Sequence, residues 1–161
     1  MDVYLIRHAD ALALGERGIT EDENRPLSEK GEKQAAQVGV GLQRRGVHLD
    51  LLLTSPLVRA RQTADALVHQ GTDLVAELQT CDLLAPGGKR SKLAKVLREA
   101  NHNAVGLVGH QPDLGEFAAW LIGSRKINLE LSKAGVALIR SEEPGKGGGT
   151  LIWLVTPEWF T

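Results

Sequence analysis

The stretch Asp2-Val3-Tyr4-Leu5-Ile6-Arg7-His8-Ala9-Asp10 decides how the remaining chain is read. Val3 to Ile6 is a continuous apolar run, partly β-branched and aromatic, with the length of a buried strand rather than a helix. It breaks off at Arg7-His8, two side chains that are costly to place at the end of a core strand without a task there. In open α/β sheets, ligands bind outside the carboxyl ends of the strands. An arginine and a histidine in that position propose an anion site with a nitrogen nucleophile or acid/base beside it. Taken alone, the pair also fits a plain polar cap on the strand.

Two further apolar runs end in the same manner. Leu49 to Thr54 leads into Ser55-Pro56, read as an N-cap followed by the favoured proline at the first helical position. The helix after it shows Leu57, Ala60, Ala64 and Leu67 at helical spacing, with Arg59 about one turn in, able to reach back to the helix N-terminus. Arg61 falls on the opposite, solvated side. Ala104 to Val108 ends in Gly109-His110-Gln111-Pro112, before a helix that buries Leu114, Phe117, Ala118 and Leu121. If the three strands are parallel, Arg7, His8, Arg59 and His110 converge on one rim. Two guanidiniums, two imidazoles and helix N-termini facing one point make a phosphate site by composition. A neutral imidazole is a competent nucleophile near pH 7, and nearby arginine charges disfavour its protonated form. Phosphoryl transfer needs mostly positioning and charge neutralisation, which this set supplies without a metal. No Cys/His cluster stands at zinc spacing and no obvious carboxylate cluster awaits magnesium, so neither metal nor cofactor is expected.

Between these landmarks, residues 9–26 form a polar loop with the acidic patch Glu21-Asp22-Glu23. Ser28 reads as the N-cap of a helix with Ala35, Val38 and Leu42 on one face, ended by Gly46. Gly31, Gly39 and Gly41 inside that helix suggest close backbone packing on one side. Leu74 to Leu78 is a weak third strand, and Thr80 to Gly88 is turn-rich. A helix carrying Leu93, Val96, Leu97 and Ala100 follows, and two apolar strands, 135–140 and 150–155, flank a glycine-rich hairpin loop. The order β-α-β-α-β-α-β-α-β-β predicts an α/β protein. The expected form is a three-layer α/β/α sandwich with a mostly parallel central sheet and an antiparallel C-terminal edge hairpin, one domain over residues 1–161. Trp120, Trp153 and Trp159 read as packing residues, and His48, His69 and His102 belong to no cluster.

The 161 residues carry 19 basic against 20 acidic side chains, so no global field points to nucleic acid or an anionic membrane. Apolar runs are too short to span a bilayer, and the stretch from Met1 into the first strand shows neither the basic nor the long apolar region expected of a signal peptide. A lone Cys81 fits a reducing compartment. The expectation is a monomeric cytoplasmic protein.

Taken together, several segments resemble the histidine phosphatase (phosphoglycerate mutase-like) superfamily. They are Leu5-Ile6-Arg7-His8-Ala9, Arg25-Pro26-Leu27-Ser28 with Gly31 and Gln34-Ala35, Ser55 to Thr63, and Val108-Gly109-His110. The short length, the lack of a capping insertion and Leu84-Ala85-Pro86-Gly87-Gly88 make the chain most similar to SixA-type phosphohistidine phosphatases. The resemblance implies that His8 is the nucleophile that becomes phosphorylated. Arg7, Arg59 and His110 would hold the phosphoryl oxygens, and Arg25 would add a contact to phosphate or substrate. Asp82, or secondarily Glu77, stands near where relatives carry the acid that protonates the leaving group. Ala9 replaces the usual glycine, which removes freedom at φ > 0 and adds a methyl near the phosphate. The implied partner is a phosphohistidine-bearing protein. The alternatives are a small-molecule phosphomonoesterase and a non-catalytic phosphate-binding module.

Overall fold

Alternation at period two sorts the first strand onto two opposite faces, and both faces are covered. The structure, a computed structural model, describes residues 1–70 and 73–161. Strand β1 (Asp2–Arg7) sends Tyr4 and Ile6 into one core and Val3 and Leu5 into the other. The remaining strands are β2 (Leu51–Thr54), β3 (Leu78–Thr80), β4 (Ala104–Gly109), β5 (Val136–Ser141) and β6 (Gly149–Val155), in the sheet order β3-β2-β4-β1-β5-β6. The pairs β1–β4, β2–β4 and β2–β3 are parallel, whereas β5 runs antiparallel to β1 and β6 antiparallel to β5. The predicted mostly parallel sheet with a C-terminal antiparallel pair is therefore the observed one.

Helices α1 (Glu29–Arg44) and α2 (Val58–Gln70) cover the Tyr4/Ile6 face with Val38, Leu42, Ala64 and Leu67. Helices α3 (Arg90–Ala100) and α4 (Asp113–Leu121) cover the other face with Leu93, Leu97, Leu114 and Phe117. Ser28 caps α1 as expected, its Oγ accepting the Gly31 N–H at 3.1 Å. Close packing explains two of the glycines in α1. A Cβ at Gly31 would lie 1.9 Å from the Asp10 carbonyl oxygen, and one at Gly41 would lie 2.3 Å from Phe160 Cβ. Phe160 belongs to a C-terminal 3-10 turn, Pro157–Phe160, seated on α1.

Three expectations need correction. Helix α2 begins at Val58, not at Pro56: residues 56–57 make a bend, and the Leu57 carbonyl accepts the first helical bond, from Arg61 N; Arg59 is thus the second helical residue. The third strand lies at Leu78–Thr80 rather than Leu74 to Leu78. Its register is set by β2, with Leu52 opposite Leu78 and Thr54 opposite Thr80, and Val75 adds only an isolated bridge to Leu49. Trp159 is 67% exposed and packs into no core, whereas Trp153 meets Tyr4 edge-on and Trp120 stacks on Phe117. No helix among the described residues is long and apolar enough to cross a membrane.

Candidate active site

Parallel register brings the site together. Arg7 lies opposite Gly109 and Thr54 opposite Val108, so β1, β4 and β2 end side by side and deliver His8, His110 and Ser55 to one rim. Backbone bonds continue the register past the strands, from His8 N to the Gly109 carbonyl and from Ser55 N to the Val108 carbonyl. Of the residues singled out in the sequence, His8, Arg59 and His110 are only 7%, 5% and 4% exposed. Their rings and guanidinium touch directly. The two imidazole centroids are 5.1 Å apart, and Arg59 Nε donates to His8 Nε2 at 3.3 Å.

The hydrogen bonds set the tautomer of His8. Its Nδ1 lies 2.7 Å from the Ala9 carbonyl, an acceptor only, so Nδ1 carries the proton. Nε2 therefore keeps a lone pair, aimed at the Arg59 Nε–H. Burial, reinforced by the charges of Arg59, Arg7 and Arg25, pushes the His8 pKa down to about 4 despite the opposing Ala9 bond. At neutral pH the ring is uncharged, with Nε2 bare and held in one orientation.

His110 is neutral for related reasons, burial first and His8 second, with its pKa pushed down to about 3. Its Nε2 lies 2.8 Å from Ser55 Oγ, which also accepts the Leu57 N–H. If the Ser55 hydroxyl proton goes to Nε2, then Nδ1 bears the ring proton. That Nδ1 is buried and has no partner, and neither has the buried Arg7 Nε. Two polar atoms without a partner therefore stand beside the buried His8 ring, where they can bond an anion. The other arm of Arg7 is anchored to the Leu131 carbonyl at 2.8 Å.

Arg59 gives Nη1 to the Asp22 carbonyl and Nη2 to the Asp22 carboxylate, at 2.8 and 3.1 Å. Arg25 gives Nε to the Leu12 carbonyl and Nη1 to the other Asp22 oxygen, at 2.7 and 3.0 Å. Arg25 is thus tied into the loop beside the site. Sequence reasoning treated Asp22 only as part of an acidic patch. It also missed Thr63, whose Oγ1 accepts the Ala9 N–H and donates to the Arg59 carbonyl. Spacing of four from Arg59 on one helical face was a signal for Thr63; nothing local pointed to Asp22.

Ala9 meets no obstacle to its backbone. The described non-glycine residues with left-handed φ are Arg17, Asn101 and Ala134, so the freedom a glycine brings is not needed at position 9. The acid candidates are not drawn into this cluster. Asp82 is exposed at the start of a 3-10 turn after β3, and its side chain bonds to none of these residues. Strand β3 stands three positions from β1, about 14 Å at ordinary strand spacing. Glu77 precedes β3, at the end of the strand away from the rim, where its carboxylate accepts from Gln79.

The profile of the histidine phosphatase superfamily (branch 1) matches residues 3–85. An uncharacterised protein of Picosynechococcus sp. is 39% identical over 99% of both chains. Among solved structures, the protein histidine phosphatase SixA complexed with tungstate superposes over 100% of both chains with a TM-score of 0.86 at 23% identity. The α-ribazole phosphatase from Shigella flexneri gives a TM-score of 0.77 at 20% identity, over 98% of this chain and 97% of that one. A neutral histidine at the end of the first strand, ringed by arginines and a second histidine, joins these likenesses in one conclusion: the chain belongs to the histidine phosphatase superfamily.

Proposed function

We propose that the protein is a metal-independent phosphatase acting through a phosphohistidine intermediate at His8, with phosphohistidine on a protein as its substrate. The observation that carries the chemistry is the lone pair of His8 Nε2, buried between Arg59 and His110. Nε2 attacks phosphorus as the bond from phosphorus to the substrate nitrogen or oxygen breaks, and the leaving group takes up a proton. Water then attacks the phosphoenzyme, releasing inorganic phosphate and restoring the Nε2 lone pair. Arg7, Arg59 and His110 face the phosphoryl oxygens and stabilise the charge spread over them in the transition state. Asp82 is the proposed proton donor for substrates large enough to reach it, and Arg25 lends positive potential from the loop. An imidazole leaving group needs less protonation than an alkoxide, which suits a site whose acid candidate stands apart.

The substrate class rests on access. Only residues 55–57 and 110–112 separate β2 from α2 and β4 from α4, so no inserted segment covers the rim there. A phosphoryl group borne on a protein enters such a site directly. The fold shared with SixA, a protein histidine phosphatase, agrees with this reading. A cleft of about 550 Å³ lined by Asp22, Leu57, Ala85 and Pro86, among others, favours a second reading, a small-molecule phosphomonoesterase. The fold shared with an α-ribazole phosphatase agrees with that one.

The test is hydrolysis, with EDTA present, of a phosphohistidine-bearing carrier protein, p-nitrophenyl phosphate and a panel of phosphorylated metabolites. Protein dephosphorylation that is fastest of the three and abolished by His8→Ala is the expected result. A sugar phosphate cleaved far faster than the protein would move the substrate to small metabolites. Inactivity on every substrate would leave a phosphate-binding module.

A further inference from the structure

Arg59 is the most heavily committed side chain of the site, and two of its three bonds go to one residue outside the rim. The residue is Asp22, in a 3-10 turn at Asp22–Asn24 that lies against the start of α2. Its carboxylate is divided between two arginines, Oδ1 with Arg25 at 3.0 Å and Oδ2 with Arg59 at 3.1 Å. Arg25 is fixed in turn by the Leu12 carbonyl. The side chain of Arg59 is 6% exposed, so water offers few substitutes for the Asp22 bonds.

We propose that Asp22 is a positioning residue for phosphoryl transfer, a bridging carboxylate that holds the Arg59 guanidinium against His8 while leaving it donors for the phosphoryl group. The inference rests on the reading of His8 as nucleophile and Arg59 as its phosphoryl ligand. A guanidinium has five N–H donors. Asp22 takes two and His8 Nε2 one, which leaves two for phosphoryl oxygens. When Nε2 bonds phosphorus its lone pair is used, and the Arg59 Nε–H turns to an oxygen of the same group. The Nε end of the guanidinium gives way to phosphorus, which takes up the lone-pair direction, while Asp22 holds the Nη end in place. Asp22 also lies between two cations that would otherwise repel across the loop. Arg25 first, and Arg59 with it, hold its carboxyl below the ordinary carboxylate range, so it is ionised at neutral pH and accepts hydrogen bonds rather than donating a proton. Without the carboxylate, a nearly buried guanidinium would keep the Asp22 main-chain carbonyl but lose its Nη2 partner and the neighbouring negative charge, and would turn or draw in water.

Residues in one hydrogen-bonded network couple by about 0.5–3 kcal/mol, so Asp22→Ala should lower turnover of p-nitrophenyl phosphate by about ten- to a hundredfold. Asp22→Asn, an amide able to serve only one arginine as acceptor, should fall between. The discriminating comparison is the double variant: if Asp22 acts through Arg59, Asp22→Ala adds nothing to the loss caused by Arg59→Ala. Multiplying losses would overturn the proposal. The side-chain Nε–H resonance of Arg59, assigned through its absence in Arg59→Lys, gives a readout independent of turnover. It should be resolved in the wild type and lost to exchange in Asp22→Ala; an unchanged resonance would also overturn it. Wild-type protein without hydrolytic activity, but with the resonance still dependent on Asp22, would instead remove the phosphatase reading and leave the clamp standing.

Discussion

The role proposed for His8 requires a ring that is uncharged and correctly turned, and two different causes meet those needs. Burial and three arginines keep the ring neutral, and one carbonyl, that of Ala9, fixes which nitrogen is bare. The same arginines that suppress protonation would later hold the transferred phosphoryl group, so one set of charges serves both states. Removing one preorganised donor from developing charge typically raises the barrier by about 2.7–4 kcal/mol. Arg7→Ala, Arg59→Ala and His110→Ala are each expected to lose at least about a hundredfold in kcat with their circular dichroism unchanged. A loss of only a few-fold at Arg59 would place it outside the transition state. The orphaned Nδ1 of His110 and Nε of Arg7 make those two variants the sharper tests, since neither atom has another partner to lose.

At the level of elements, the site depends on how closely α1 approaches the loop that leaves β1. Gly31 lies in the first turn of α1 against the backbone of Asp10, two residues beyond His8. Asp10 is itself tied to Ser28, Gln34 and Lys133. In a free helix, alanine in place of glycine would add up to about 1 kcal/mol of stability. Here the new methyl would overlap a main-chain oxygen, and overpacking of this kind costs about 1–3 kcal/mol. The clash wins. Gly31→Ala should lower the urea midpoint and also reduce turnover, because the displaced Asp10 carries Ala9 and His8 with it. A raised midpoint would mean that the loop yields freely and does not brace the nucleophile.

For the whole molecule, a nearly neutral chain buries two imidazoles beside the Arg59 guanidinium. Stability then depends on pH in a definite direction. His8 and His110 titrate at about 4 and about 3 in the fold but near 6.5 in an unfolded chain. Between about pH 6.5 and 4 the unfolded chain binds more protons than the native one, so stability rises with pH across that window. Lowering the pH from 7 to 5 should therefore cost on the order of 2 kcal/mol for each of the two imidazoles. This loss precedes protonation of the depressed carboxylates Asp2, Asp10 and Asp22. Urea unfolding at the two pH values, on wild type and on His8→Asn/His110→Asn, isolates the effect. Equal losses in both proteins would show that the two rings are not held neutral by the fold.

What the amino-acid sequence determined by itself is whatever depends on order along the chain. Apolar runs of strand length at β1, β2 and β4, helical periodicity between them, and polar residues at the strand ends sufficed for the sandwich and for the cluster of Arg7, His8, Arg59 and His110. Hydrophobic periodicity is a local signal, and parallel connections place strand ends on a common rim whatever the details. The tertiary structure alone decided the pairings across distance. Asp22 finds Arg59 across 37 positions and Ser55 finds His110 across 55. The register of β3 likewise follows its partner β2 rather than its own weak pattern, and Trp159 is left outside because Phe160 takes the place on α1. Polar side chains have many possible partners of similar intrinsic strength, and only the assembled backbone brings one of them within about 3 Å. The tautomer of His8, on which the chemistry turns, is set by such a contact.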